Sequence, residues 1–330
     1  MTQGMNSNIK VSITMLAYNH EKYIEQAIES VLMQEVDFEY ELLIGEDCST
    51  DGTLEKIKPY LVNQQIKLFA REKNMSKSEI GNEMDLRLRA KGKYITLLEG
   101  DDYWTDPHRL QKQVDFLDSN PEYIACAHGF VVVDEEGKQY YDRDFECQFF
   151  QSNPYNKNVF ENGQMLSHIN SIMYRNFYNE VDKKMLRLFT DYRSMGGDYL
   201  LTAFLVLNGK MYCLPDKMSC YRKVVSNKSD SFSSIMERKN TRDLTYKAII
   251  GSEKYINQYY NISFEARKKS AFASAVFMWN RNRTKHNFSV VCNIIKMSKK
   301  PVKYTAWFVY LLLARFVLNI LNRKDYRVKF

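Results

Sequence analysis

Residues 94–117 read YITLLEGDDYWTDPHRLQKQVDFL, and this stretch decides the fold. Tyr94 to Leu98 is an apolar run of strand length that stops at four polar positions, Glu99-Gly100-Asp101-Asp102. Asp106 and Pro107 then open an amphipathic helix to Asp118. Asp106 takes the N-cap position, and the proline stands where its missing N–H is not needed. A buried strand, a polar turn at its carboxyl end and a helix are the parts of a βαβ unit.

The same sentence is repeated upstream. Val11 to Leu16 is a strand broken by Tyr18-Asn19-His20, and Glu21 to Met33 follows with apolar residues at helical spacing. Tyr40 to Gly45 is a strand, the polar turn Glu46 to Gly52 follows, and Thr53 to Val62 is helical. Ile66 to Ala70 and Gly81 to Ala90 make the next strand and helix. Strands alternating with helices at short intervals predict a largely parallel sheet. Downstream the pattern loosens. Strands are expected at Ile124–Asp134, His168–Tyr174, Lys210–Leu214 and Met218–Arg222, with a helix at Tyr199–Leu207 and a long loop over 142–164. Helices are expected at 238–259, 265–278 and 305–322. The change to a helical chain divides it into residues 1–235 and 236–330.

Of 330 residues, 45% are hydrophobic and 14% aromatic, and mean hydropathy is −0.47. This excludes a disordered chain and a multi-span membrane protein. The net charge of +7 is a sum of unlike parts. Residues 1–239 carry 29 Lys and Arg against 36 Asp and Glu, whereas residues 240–330 carry 18 against 4. Six cysteines show no C-x-x-C spacing. The first residues lack a basic segment followed by an apolar one, so a cytoplasmic chain is expected.

Ligands of parallel sheets bind at the carboxyl ends of the strands. Three polar groups fall there: Ala17-Tyr18-Asn19, Glu46-Asp47 and Glu99-Gly100-Asp101-Asp102. Crowded carboxylates repel one another unless a cation lies between them, and Mg²⁺ and Mn²⁺ favour such oxygen ligands. A polar turn of helix-capping acids is the simpler reading of the last group taken alone. The sequence has neither a G-x-x-x-x-G-K-[ST] loop nor a G-x-G-x-x-G after the first strand, which argues against a P-loop NTPase or a dinucleotide dehydrogenase.

Three blocks carry a family resemblance: VSITMLAYNHEKYIEQAIESVLMQ, ELLIGEDCSTDGT and AKGKYITLLEGDDYWTDPHRLQKQVDFL. Their order and spacing resemble the inverting family 2 glycosyltransferases of the GT-A fold over residues 9–120, more weakly to about 231. The implied fold is α/β, a Rossmann-like mixed sheet flanked by helices, with a C-terminal helical region. The resemblance implies roles position by position. Ala17, Tyr18 and Asn19 would hold the nucleotide of a nucleotide sugar. Asp47 would read the base, commonly uracil, with Glu46 beside it. Arg71 and Asn74 would contact the donor. Glu99-Gly100-Asp101 matches a D-x-D metal motif with Glu in the first place, so Asp101 is the expected ligand of Mn²⁺ or Mg²⁺, with Asp102 next to it. Asp198 would be the general base, although Gly197 stands where the family often has Glu, and an N-cap role is the simpler reading. Arg222 in Tyr221-Arg222 would lie near the diphosphate, or be an ordinary surface arginine. His168, Asn170 and Ser171 would lie near the acceptor, a glycan or a lipid-linked molecule. His168 is equally readable as a structural histidine.

Two other functions stay open at this level: a nucleotidyltransferase on a related sheet, and a non-catalytic glycan-binding relative. The first lacks its usual Gly-rich basic loop between Ala17 and Glu21. The second has no reason to keep Asp47, Asp101 and Asp198 together. Thr305 to Leu321 is the most apolar stretch, with Arg315, Asn319 and Asn322 on one stripe and cations on both flanks. It reads as a helix lying on an anionic membrane, as a helix packed on protein (its own body or a subunit partner), or as a single span. No nucleic-acid module is present.

Overall fold

The computed structural model describes residues 8–75, 78, 80–142, 146, 149–150, 152–162, 164–178 and 197–224. Beyond these it describes isolated positions between 256 and 283, then 285–297 and 300–320. Chain contacts divide it into two compact units, one of Met1–Phe160, Gln164–Arg193 and Gly197–Arg238, the other of the remaining residues.

In the first unit, β1 (Ile9–Ala17) leads through α1 (Ile24–Leu32) to β2 (Glu39–Glu46). Helix α2 (Thr53–Ile57), β3 (Ile66–Ala70), α3 (Asn82–Arg89) and β4 (Tyr94–Glu99) follow. Next come β5 (Tyr103–Trp104), α4 (Arg109–Ser119), β6 (Tyr123–Val133), α5 (Lys157–Glu161) and β7 (Met173–Arg175). Helix α6 (Gly197–Asn208) and β8 (Lys210–Arg222) complete it. The sheet order is β3-β2-β1-β4-β7-β6-β8-β5. Strands β3, β2, β1 and β4 are parallel neighbours, and β7 runs antiparallel to both β4 and β6. The chain leaves β1 toward β2 and β3, then returns past β1 to β4. The strand order therefore reverses between β1 and β4, and a ligand crevice forms at such a switch point.

The core explains the helices. Ile24, Ala27, Ile28 and Val31 of α1 recur at helical spacing and are wholly buried. With Leu110, Val114 and Leu117 of α4 they belong to the core of Val11, Ile13, Met15, Ile44 and Leu98 from the sheet. Burying each such side chain contributes about 1.5–3 kcal/mol.

Several expectations shift, each for a local reason. Helix α2 stops at Ile57 and continues as a 3₁₀ turn over Lys58–Val62, because Pro59 cannot donate inside an α-helix. Helix α4 starts at Arg109, and Asp106 caps a turn ahead of it by accepting the His108 amide at 2.8 Å. The two short strands expected at 210–222 are one strand, β8. Its pairing with β6 jumps from Leu214 to Lys217 beside Gly129, a bulge around Pro215. The strand expected from His168 is a 3₁₀ turn, Ile169–Ser171, followed by β7.

In the second unit, α7 (Lys285–Met297) was not expected, and α8 (Pro301–Ile320) starts before Thr305. Phe272, Val276, Val291, Ile294, Tyr304, Phe308 and Leu311 form its core. The helices expected at 238–259 and 265–278 fall largely outside the described residues, as do Asn322 and the cations beyond it. Among the described residues no helix is long and apolar enough to cross a membrane.

Candidate active site

The pairing of β1 with β2 and β4 sets Ala17 beside Glu46 and Leu16 beside Glu99. The three polar strand ends of the sequence are thus neighbours. Asn19 holds φ 57°, a left-handed conformation that asparagine tolerates. Its amide donates to Ser49 Oγ at 3.0 Å, and its Oδ1 accepts the Thr50 amide at 2.9 Å. The Asp47 amide donates to the Ala17 carbonyl at 2.9 Å, and Asp47 Oδ1 accepts the Met75 amide at 2.7 Å. Asn74 Nδ2 donates to the Asp47 carbonyl at 3.2 Å. Ala17, Tyr18, Asn19, Asp47 and Asn74 therefore belong to one rim of linked loops. Glu46 is buried and accepts the Ser49 amide, while Arg71 is engaged by Asp85 at 2.6 Å and Asn82 at 3.1 Å. These two brace the rim from within.

The acid turn follows β4. Its Gly100 amide donates to the Leu16 carbonyl at 2.8 Å. A Cβ there would stand 2.7 Å from His20 Nδ1, 2.9 Å from Ile24 Cδ1 and 3.0 Å from the Leu16 carbonyl oxygen, so any larger residue crowds these neighbours. Among the described residues, Glu99, Asp102 and His168 bring one ligand atom each to within 4.8 Å of one another. Burial, then repulsion from Asp101 and Asp102, pushes the Glu99 carboxyl well up. Burial and Asp101 do the same to Asp102, against hydrogen bonds from the Arg222 amide and Asn170. Burial lowers His168 to about 4, leaving a neutral imidazole at physiological pH. Two carboxylates that resist joint ionisation beside a neutral imidazole suit a divalent cation. Asp101, the ligand expected from the sequence, lies outside that trio. Its Oδ2 is 3.9 Å from His20 Nε2.

Asn170 and Ser171, expected near the acceptor, are fully buried. Asn170 Nδ2 donates to Asp102 Oδ2 at 2.8 Å, and Ser171 Oγ donates to the His168 carbonyl at 2.6 Å. They hold the acid turn and His168 from behind. Arg222 is likewise no surface arginine. Its Nε donates to the Asp101 carbonyl at 2.9 Å, and its Nη1 donates to the carbonyls of Asp134 at 3.1 Å and Glu135 at 2.9 Å. Its Nη2 donates to Gln26 Oε1 at 2.7 Å. Each of its three guanidinium nitrogens thus donates to a protein group.

Residues 12–185, more than half of the chain, match the family described as Glycosyl transferase family 2. The chain belongs to this family. An uncharacterized protein of Mycobacterium tuberculosis is 30% identical over 217 residues, 64% of this chain and 58% of its own length. The putative glycosyltransferase EpsE of Bacillus subtilis is 36% identical over 133 residues, 40% of this chain and 47% of its own. The chain therefore matches less than two thirds of either relative. Among solved structures, TarS 1–349 of S. aureus in complex with UDP-GlcNAc aligns with a TM-score of 0.53 and 19% identity, covering 87% of this chain and 80% of that one. That likeness is one of fold, the GT-A type.

In this family 2 glycosyltransferase Asp198 lies in the first turn of α6, inside the helix and not at its N-cap. Desolvation by the surrounding protein, then the charge of Glu83, raises its carboxyl to about 6, against the pull of Arg87. Arg87 is buried, pairs with Glu83 and donates to Tyr178 Oη at 3.2 Å. Glu83 and Arg87 were missed in the sequence, since α3 reads as an ordinary charged helix. Arg109 was missed too, although a signal existed: a cation on the apolar stripe of α4. It is wholly buried, 3.8 Å over the Trp104 ring, and donates to His128 Nε2, Thr96 Oγ1 and the Asn170 carbonyl. Burial pushes it down to about 9, still charged at neutral pH.

Proposed function

We propose that this glycosyltransferase is an inverting, metal-dependent enzyme. It would move a hexosyl or N-acetylhexosaminyl group from a nucleotide sugar, with UDP as carrier, to a glycan or lipid-linked acceptor in polysaccharide synthesis. The observation that carries this reading is the meeting of the Asn19–Asp47 rim with the Glu99–Asp102 turn at the β1/β4 switch point. The UDP-GlcNAc in the TarS complex supports a nucleotide-sugar donor of this kind.

In this reading Ala17, Tyr18, Asn19, Asp47 and Asn74 hold the nucleoside. Asp101 and the Glu99–Asp102–His168 group hold Mn²⁺ or Mg²⁺, which when bound offsets the diphosphate charge and improves the leaving group. Asp198, ionised above about pH 6, takes the proton of the acceptor hydroxyl. The hydroxyl oxygen bonds to the anomeric carbon as the carbon–phosphate oxygen bond breaks, and the electron pair leaves on the nucleoside diphosphate. One displacement inverts the configuration. A single base suffices, unlike the carboxylate pair of a glycoside hydrolase. The acceptor side is a cytoplasmic membrane face, with the basic C-terminal region as a peripheral attachment and no role for nucleic acid.

Thermal shift with a panel of nucleoside diphosphates tests it. UDP with Mn²⁺ should stabilise the protein most, and Asp101→Asn should remove the metal-dependent part. No response to any nucleotide, with or without metal, refutes the reading.

A further inference from the structure

We infer that α8 docks on an anionic lipid surface through one stripe, Val302, Ala306, Val309 and Leu313. This deepens the membrane reading above and rests on it. The four positions are spaced i, i+4, i+7 and i+11, so they share one helix face over about 16 Å. All four are exposed, Val302 at 82% and Leu313 at 59%, and Tyr310 borders them at 64%. The opposite face is already satisfied: Tyr304, Phe308 and Leu311 are buried in the core with Phe272, Val276 and Ile294. A surface helix ordinarily turns its polar side to water. Here the outward side is apolar, and such a patch marks a docking surface.

Charge selects the occupant. Residues 266–324 contain 13 Lys and Arg and no Asp or Glu. Lys296, Lys300 and Lys303 are exposed near the start of the stripe. A second copy would bring two strongly cationic surfaces together with no carboxylate between them. A nucleic acid offers anionic charge but no apolar phase for Val309 and Leu313. An anionic bilayer offers both, taking the apolar side chains about 5–10 Å into the headgroup boundary while the lysines face phosphates.

Flotation of the full chain with phosphatidylcholine vesicles, with and without phosphatidylglycerol, tests the assignment. The wild type should float with the anionic vesicles alone. Val309→Glu/Leu313→Glu should bind about tenfold more weakly, and Lys300→Glu/Lys303→Glu should also weaken binding. Unchanged circular dichroism and UDP thermal shift in each variant would show that the fold is kept. A wild type that floats with neither vesicle defeats the membrane reading itself. Flotation unaffected by the stripe variant leaves the membrane reading standing and defeats this face. Equal flotation on neutral vesicles defeats the anionic requirement. Self-association in ultracentrifugation that the stripe variant abolishes, without flotation, assigns the face to a second copy instead.

Discussion

The Arg222 amide donates to Asp102 Oδ1 at 2.7 Å, joining the end of β8 to the acid turn after β4. The same residue's guanidinium holds the Asp101 carbonyl, so both aspartates of the turn are set by one arginine. Lysine keeps the charge but loses the planar fork that reaches three carbonyls and Gln26. Arg222→Lys should therefore lower kcat by about 10²-fold while the donor KM changes little, since a small misplacement of reacting groups is costly. Steady-state kinetics decide it. A large rise in donor KM with kcat preserved would return Arg222 to the diphosphate.

The pH profile follows from Asp198. A base with its carboxyl near 6 is inactive when protonated, so kcat should fall on the acid side with a midpoint near pH 6. Glu83 raises that carboxyl and Arg87 lowers it. Glu83→Gln should move the midpoint to lower pH, and Arg87→Met should move it higher. A midpoint that stays fixed in both variants would mean that another group is the base.

Gly100→Ala should disable the site without unfolding the sheet. The added carbon presses on the His20 ring, the Ile24 methyl and the Leu16 carbonyl oxygen of β1 together, and the turn shifts to relieve them. The expected result is loss of the Mn²⁺-dependent response with a folded circular dichroism spectrum. Retention of full metal dependence would show that the turn tolerates displacement.

Asp118 predicts a stability change with pH. Burial alone would raise its carboxyl, but Lys10 at 2.5 Å, Lys93 at 2.6 Å and Tyr94 Oη at 2.6 Å hold it well below the usual range. A depressed folded value stabilises above the unfolded value of about 4 and is lost as pH falls further. The carboxylate is one-third exposed, so water screens much of this. Asp118→Asn should cost about 1 kcal/mol at pH 7 and much less near pH 2, read by urea unfolding. An equal loss at both pH values would point to packing.

The parallel half of the sheet was legible because each strand is an apolar run closed by a polar turn, as in Val11 to Asn19 and Tyr94 to Asp102. Strand β5 was not, since two residues carry no period and Tyr103-Trp104 pairs only through β8, more than a hundred residues away. The acid turn was readable from its spacing, but which of its carboxylates face inward was not. That depends on Asn170 and Arg222, brought in by β8 and by the turn before β7. Asn170 and Ser171 look like ligand groups in sequence because nothing local reveals that they are buried. The setting of Asp198 was also hidden: Gly197 left a neighbouring carboxylate missing, and Glu83 supplies a charge from a different helix.

The most direct measurement is proton NMR of the sugar released or transferred from an α-linked UDP-sugar with Mn²⁺, followed from the first turnover. The account predicts that the wild type forms the β-anomer first and that Asp198→Asn forms it far more slowly. An α-anomer as first product, or turnover untouched by Asp198→Asn, would contradict it.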